Sequence, residues 1–289
     1  MSPKELARQI LPPLLFGELM NALYFLEFQK YRKLIQKNSQ LKNTETGRCF
    51  IIGSGPSIKN IDLRLLENEK VMALNNFYVH PLYEFIKPQY YVVAPLHQPQ
   101  TDEEWLAWFK DMDANLCANT ILFLGLSHRG LLKQKNPSAY EIVNQNDELF
   151  KKIDVNYYFS GDFCNRSLDK FIDLETPLFT SFTCSLMAIV IALYLGFKQI
   201  YLLGMDSNHF MFDQESERRF YTNGIHQKNE IQRVWGDRYY VECFKAIYEI
   251  FKKYYDLNKI AEKKGIKIIN ATDNTVLKIF DCVEFESLF

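Results

Sequence analysis

The stretch Cys49-Phe50-Ile51-Ile52-Gly53-Ser54-Gly55-Pro56-Ser57-Ile58 constrains the fold more than any other part of the chain. Its apolar run is too short for a helix and reads as a strand. Glycines at the strand end let the backbone turn sharply and approach a ligand closely. Pro56 suits the first turn of a helix, where its missing N–H costs nothing. Ser54 or Ser57 can cap that helix. Amides exposed at a helix start form an anion site, and phosphate is the usual anion. The stretch therefore reads as the first strand and loop of a nucleotide-binding α/β domain, with Gly53, Ser54, Gly55, Pro56 and Ser57 as phosphate contacts. It matches neither the three-glycine dinucleotide fingerprint nor a Walker loop. A plain strand-to-helix turn is the alternative.

From there the pattern alternates. Val71–Leu74, Tyr90–Ala94, Thr120–Leu124, Asn156–Phe159, Gln199–Gly204 and Ile266–Ile269 read as strands, the last of these closing the set. Residues 102–116 and 239–263 have helical periodicity. Cys184–Leu195 is apolar all round, as a buried helix is, and Gly196 stands where a helix C-cap belongs. Alternating β and α units predict an α/β fold: a Rossmann-like, doubly wound, mostly parallel sheet, here with a lid insertion and an N-terminal helix. The expected division is an N-terminal amphipathic helix and linker over 1–47, a nucleotide-binding α/β domain over 48–206, a lid over 207–238 and the return of the α/β domain over 239–289. At 289 residues the chain suits one large α/β domain. Segments 127–153 and 207–238 are polar and lack periodicity.

Ligands of such sheets sit at the carboxyl ends of the strands. Those ends present Gly53–Ser57, Asn75-Asn76, Pro95–His97, Asp206 and Asn270–Thr272. Small, amide and hydroxyl residues of this kind hydrogen-bond a sugar phosphate or a base. With 34 basic and 35 acidic side chains, no basic field advertises nucleic acid. Six scattered cysteines form no C-x-x-C pair, so neither a zinc site nor a disulfide framework is indicated. Free thiols favour a reducing, cytoplasmic compartment. Ile10–Leu26 is apolar but interrupted by Pro12, Pro13, Glu18 and Asn21, which makes it poor as a membrane span. Lys30, Arg32, Lys33 and Lys37 follow. Two readings of residues 10–37 stand side by side: peripheral contact with the inner membrane, or packing on the parent domain or a second subunit of a homo-oligomer.

Three pieces together resemble the family 42 bacterial sialyltransferases, which transfer sialic acid from its cytidine monophosphate donor. Gly53-Ser54-Gly55-Pro56-Ser57-Ile58 is similar to that family's Gly-Asn-Gly-Pro-Ser-Leu. Asn75-Asn76-Phe77-Tyr78 resembles its Asn-Gln-Phe-Tyr, and Gly196–Asp206 resembles its Gly-Tyr-Lys-Glu-Ile-Tyr-Leu-x-Gly-Ile-Asp. Thr180-Ser181 is similar to its Thr-Ser-Gly, with Phe182 in the place of the glycine. The resemblance implies a glycosyltransferase with a nucleotide-sugar donor and a cell-surface glycan acceptor, as in lipooligosaccharide biosynthesis. It also implies nucleotide contacts from Gly53–Ser57, Asn75, Asn76, Thr180, Ser181 and Asp206, to which Asn270 and Thr272 are added by their place at a strand end. A lid histidine is the expected general base: His226, within Tyr221–Asn229, with His209 as its rival. A neutral imidazole suits proton removal from a sugar hydroxyl. Tyr221, with Tyr239 or Tyr240, is expected to hold the departing phosphate. Phosphate leaves well once hydrogen-bonded, so neither metal nor cofactor is called for. The hydroxymethylpterin pyrophosphokinase-like domains share the Gly-x-Gly-Pro-Ser start. They imply the alternative chemistry, ATP with magnesium, in which Asp206 would touch the metal. A non-catalytic member of the fold is the third reading.

Overall fold

The computed structural model describes residues 3–97, 100–127, 138–161, 172–180, 183–212, 218–221 and 239–289. Among these, eight parallel strands form one sheet in the order β5-β4-β3-β2-β1-β6-β7-β8. They are β1 (Arg48–Ile52), β2 (Lys70–Leu74), β3 (Tyr90–Val93), β4 (Ile121–Ser127), β5 (Asp154–Ser160), β6 (Gln199–Leu203), β7 (Lys267–Asn270) and β8 (Asp281–Cys282). The expected fold class holds. The two-residue β8 lies beyond the strand expected to be last, and it is too short to leave a periodic signal.

The chain winds outward from β1 to β5, then returns to lay β6 on the other flank of β1. The strand order therefore reverses between β1 and β6. Both faces of the central strands are covered, which explains their unbroken apolar runs. Phe50 and Ile52 of β1 face one core, while Cys49 and Ile51 face the other. The same two-residue alternation divides β2, β3 and β6.

All twelve residues of the helix Cys184–Leu195 are buried. It packs beneath β1, β2 and β3. Gly196, at φ +106, ends it in the left-handed conformation a side chain resists. On the opposite face lies the helix Asp102–Asn115, started by a capping box between Thr101 and Glu104 and burying Trp105, Trp108, Phe109 and Met112. The long helix Tyr239–Lys263 packs beside β7. At the N-terminus, α1 (Pro3–Ile10) breaks at Leu11-Pro12, and α2 (Pro13–Ile35) follows. The buried positions of α2, Gly17, Met20, Asn21, Tyr24, Phe28, Tyr31 and Ile35, recur at helical spacing. Phe28 and Tyr31 meet Phe159 of β5, so one face of this helix packs on the parent sheet.

Two segments differ from expectation. Residues 36–47 read as a linker, yet Asn38 is fully buried and its Nδ2 donates to the carbonyls of Tyr157 (2.8 Å) and Leu174 (3.3 Å). The helix expected after the first loop is a five-residue 3-10 turn, Pro56–Asn60, begun at Gly55 without a side-chain cap.

Candidate functional site

The carboxyl ends of β1 and β6 form the crevice, because the strand order reverses there. The two loops that leave these strands are locked together. The Gly53 amide donates to the Leu203 carbonyl (2.8 Å), and the Gly55 amide to the Gly204 carbonyl (3.0 Å). A Cβ on Gly53 would lie 2.6 Å from the Gly204 oxygen. A Cβ on Gly55 would lie 1.8 Å from Asp206 Oδ2 and 2.6 Å from that same oxygen. Gly204 has φ +64, and a Cβ there would meet Ile58 at 2.5 Å. The glycines of the first loop are thus required by the approach of the second loop. The sequence signal for close approach is real, but the partner in contact is protein.

Asp206 sits in the middle of this contact, 7% exposed. Its carboxylate accepts from the Ser57 amide (3.2 Å) and the Ser57 hydroxyl (2.8 Å). Burial holds its pKa above the usual carboxylate value, while the two bonds from Ser57 oppose that shift. One amide of the expected phosphate cradle is therefore already engaged by a carboxylate of the chain itself.

The β7 side of the crevice is a closed network. Asn270 Nδ2 donates to Thr275 Oγ1 (3.3 Å) and the Leu277 carbonyl (3.1 Å), and its Oδ1 accepts from the Thr272 amide (3.1 Å). Thr272 Oγ1 accepts from the Met205 amide (3.0 Å). Thr275 Oγ1 donates to the Met205 carbonyl (2.7 Å). Asn270 and Thr272, expected as nucleotide contacts, direct their polar atoms into the wall that carries Asp206.

The β2 side is held by aromatic residues. Asn75 has φ +50, and its carbonyl accepts from the Tyr91 hydroxyl (2.8 Å). Non-glycine residues in that region mark strain, which concentrates at functional sites. Asn76 Oδ1 accepts from Trp108 Nε1 (2.7 Å). In the sequence Trp108 stood out only as part of a helix. Residues 220 and 221 pack on this side. The Phe220 amide donates to the Ser54 carbonyl (3.0 Å), and its ring meets Phe77 and His80 edge-on at 6.0 and 5.3 Å. Tyr221 lies against Phe220 (4.9 Å), and its hydroxyl accepts from Arg219 (3.3 Å). His80 Nδ1 accepts from the Leu82 amide (3.2 Å), and burial lowers its pKa, so its place is structural. Phe77 belongs to the motif Asn75–Tyr78, whereas nothing in the sequence distinguished Phe220 beyond its position beside Tyr221.

The buried helix Cys184–Leu195 also begins at this edge of the sheet, since Cys184 Sγ donates to the Val92 carbonyl at the end of β3 (3.2 Å). Thr183 starts it without a side-chain cap, and its first turn holds no acid. Thr180 precedes it, half-buried. The backbone of His209 lies in a three-residue turn shortly after Asp206. Tyr239 and Tyr240 open the helix that follows the lid. Ser181 and His226 lie outside the described residues. The Asp-x-Asp triplet Asp111-Met112-Asp113 lies within the helix Asp102–Asn115. There Asp111 accepts from the Tyr78 hydroxyl (2.7 Å) and Asp113 from the Phe150 amide (3.0 Å).

No protein-family model matches the chain, and neither does any curated protein. Among solved structures, it is similar to the crystal structure of the sialyltransferase CST-II in complex with trisaccharide acceptor and CMP. The two share 19% identity over 81% of this chain and 84% of that one, with a TM-score of 0.43. A likeness at this level speaks to neither substrate nor residue roles.

Proposed function

We propose that the chain is a glycosyltransferase that holds a nucleotide-activated sugar in the crevice between β1 and β6. One observation carries the reading. Segments far apart in sequence, 53–57, 75–76, 204–206 and 220–221, converge at the point where the strand order reverses. These same segments carry the motifs that resemble the sialyltransferases. The donor is a cytidine monophosphate-linked sialic acid or a related sugar, and the acceptor is a hydroxyl of a glycan.

The start of the helix Cys184–Leu195 offers its amides to the donor phosphate, because Thr183 makes no side-chain cap bond to it and its own first turn carries no acid. The first loop has a different task, since Asp206 already engages Ser57. Asp206 fixes that loop and offers its remaining acceptor capacity to a sugar or ribose hydroxyl. In the transfer step the acceptor oxygen forms a bond to the anomeric carbon, and the bond from that carbon to the phosphate breaks. The hydroxyl proton passes to an imidazole, His226 or its rival His209, and Tyr221 hydrogen-bonds the departing phosphate.

A thermal-shift screen over cytidine, uridine, guanosine and adenosine nucleotides, with and without magnesium, tests the donor. Ligand at about 100 times its Kd adds roughly 2.7 kcal/mol of stability. Cytidine monophosphate is expected to raise Tm without magnesium. His226→Ala is expected to keep that shift and lose hydrolysis and transfer of the cytidine-linked sugar. A shift with ATP and magnesium alone moves the reading to the pyrophosphokinase chemistry. No cytidine response and no hydrolysis removes the transferase reading.

A further inference from the structure

We infer that the open face of α1 and α2 seats the protein on an anionic bilayer, with its apolar side chains in the headgroup region and its cations against the lipid phosphates. The seating is argued independently of the chemistry proposed above; only the placement of acceptors rests on that reading. Opposite the packed face of α2 stand Leu15, Leu19 and Leu26, exposed by 59%, 42% and 62%. These three fall within about 40° of one another around the helix axis. Leu14 and Phe25 flank them at 71% and 49%, and Ile10 of α1 continues the surface at 68%. An apolar face of this extent on two consecutive helices marks an interaction site.

The charges select the partner. Arg8 precedes the apolar face, and Lys30, Arg32 and Lys33 follow it. Lys30 pairs with Glu27 (2.5 Å). Arg8, Arg32 and Lys33 are exposed and form no ion pair among the described residues. Glu18 lies inside the face, between Leu15 and the flanking Phe25 and Leu14, so one exposed acid sits among the apolar side chains. A second copy docked here in parallel would set Lys33 against Lys33; docked antiparallel, it would set Arg8 against Lys33. Either arrangement opposes like charges, whereas an anionic lipid surface complements both ends. No helix among the described residues is long and apolar enough to cross a membrane, so the contact lies in the plane of the surface.

The orientation links this face to the crevice. Phe28 meets Phe159 near the carboxyl end of β5 (5.8 Å), and Lys37 meets Asp154 at its start (2.5 Å). α2 therefore runs antiparallel to β5, and its first half extends past the carboxyl edge of the sheet by roughly 20 Å, at 1.5 Å per residue. The crevice opens at that same edge, so a seated protein faces acceptors carried on the lipid surface.

Vesicle flotation of the full chain tests this, with phosphatidylcholine alone and with about one-third phosphatidylglycerol. Binding to the anionic vesicles is expected, weaker at high salt and weaker on the neutral vesicles. The triple variant Leu15→Gln, Leu19→Gln, Leu26→Gln is expected to lose binding by about tenfold or more at unchanged Tm. The double reversal Arg32→Glu, Lys33→Glu is expected to cost about tenfold on anionic vesicles alone. Absence of wild-type binding to either vesicle overturns the inference. So does a wild-type dimer, converted to monomer by the triple variant, that fails to float. Equal binding to neutral and anionic vesicles, unchanged by the charge reversal, overturns the anionic assignment.

Discussion

The two walls of the crevice are built differently. On the β7 side, Asn270, Thr272 and Thr275 bond to each other and to the backbone at Leu277 and Met205, so their side chains form the wall itself. On the β2 side, Tyr91 bonds the Asn75 carbonyl and Trp108 the Asn76 side chain, backbone bonds to Val92 and from Val79 add to these, and the Phe220 amide bonds the Ser54 carbonyl. Both walls draw on the same residue types in the sequence. Their bonding differs: on the β7 side the polar side chains bond one another, whereas on the β2 side they are held by aromatic residues of β3 and of the helix Asp102–Asn115.

Four substitutions break or sharpen that contrast. The largest effect is expected for Gly55→Ala, whose Cβ would lie 1.8 Å from Asp206 Oδ2 and 2.6 Å from the Gly204 oxygen. With backbone on one side and a bonded carboxylate on the other, a loss of about 3 kcal/mol or more is expected in urea denaturation. A wild-type midpoint would mean that the contact between the two loops is soft. Asn270→Ala comes next. It leaves buried partners of Asn270 unsatisfied and is expected to cost about 2–3 kcal/mol, while the nucleotide Kd measured on folded protein stays unchanged. A lost nucleotide site at unchanged stability would reverse the assignment of the two walls.

Asp206→Asn is smaller and depends on pH. Burial raises the native pKa of this carboxyl, so the folded chain holds its proton more tightly than the unfolded chain does. Its contribution to stability is greatest at low pH and falls as pH rises through the window above the ordinary carboxylate value. The asparagine lacks that component. The stability difference, wild type minus variant, is expected to move against the wild type as pH rises above the ordinary carboxylate value. A flat difference would show that the bonds from Ser57 cancel the burial. The smallest effect on folding is expected for Ser54→Ala, within about 0.5 kcal/mol. The hydroxyl of Ser54 has no hydrogen bond among the described residues, because the bond to Phe220 uses the carbonyl. Its effect is expected in the Tm shift produced by nucleotide, and an unchanged shift would remove Ser54 from the ligand's surroundings.

By itself the sequence determined the local elements and their class. The short apolar runs of the strands, the apolar circumference of Cys184–Leu195 and the glycine after it follow from short-range geometry, and all are seen. The loop Gly53–Ser57 and the strand end at Asp206 were legible as special, and the crevice lies there. Only the tertiary structure decided what those residues touch. Ser57 and Asp206 are 149 positions apart, so nothing local reveals that the carboxylate fills the glycine's side of the loop. Nor does local pattern show that Asn270 and Thr272 turn inward, or that one face of α2 stays open. A pattern of residues sets which face of an element is apolar. The partner of that face, and of each polar atom, is set by where the sheet brings distant segments together.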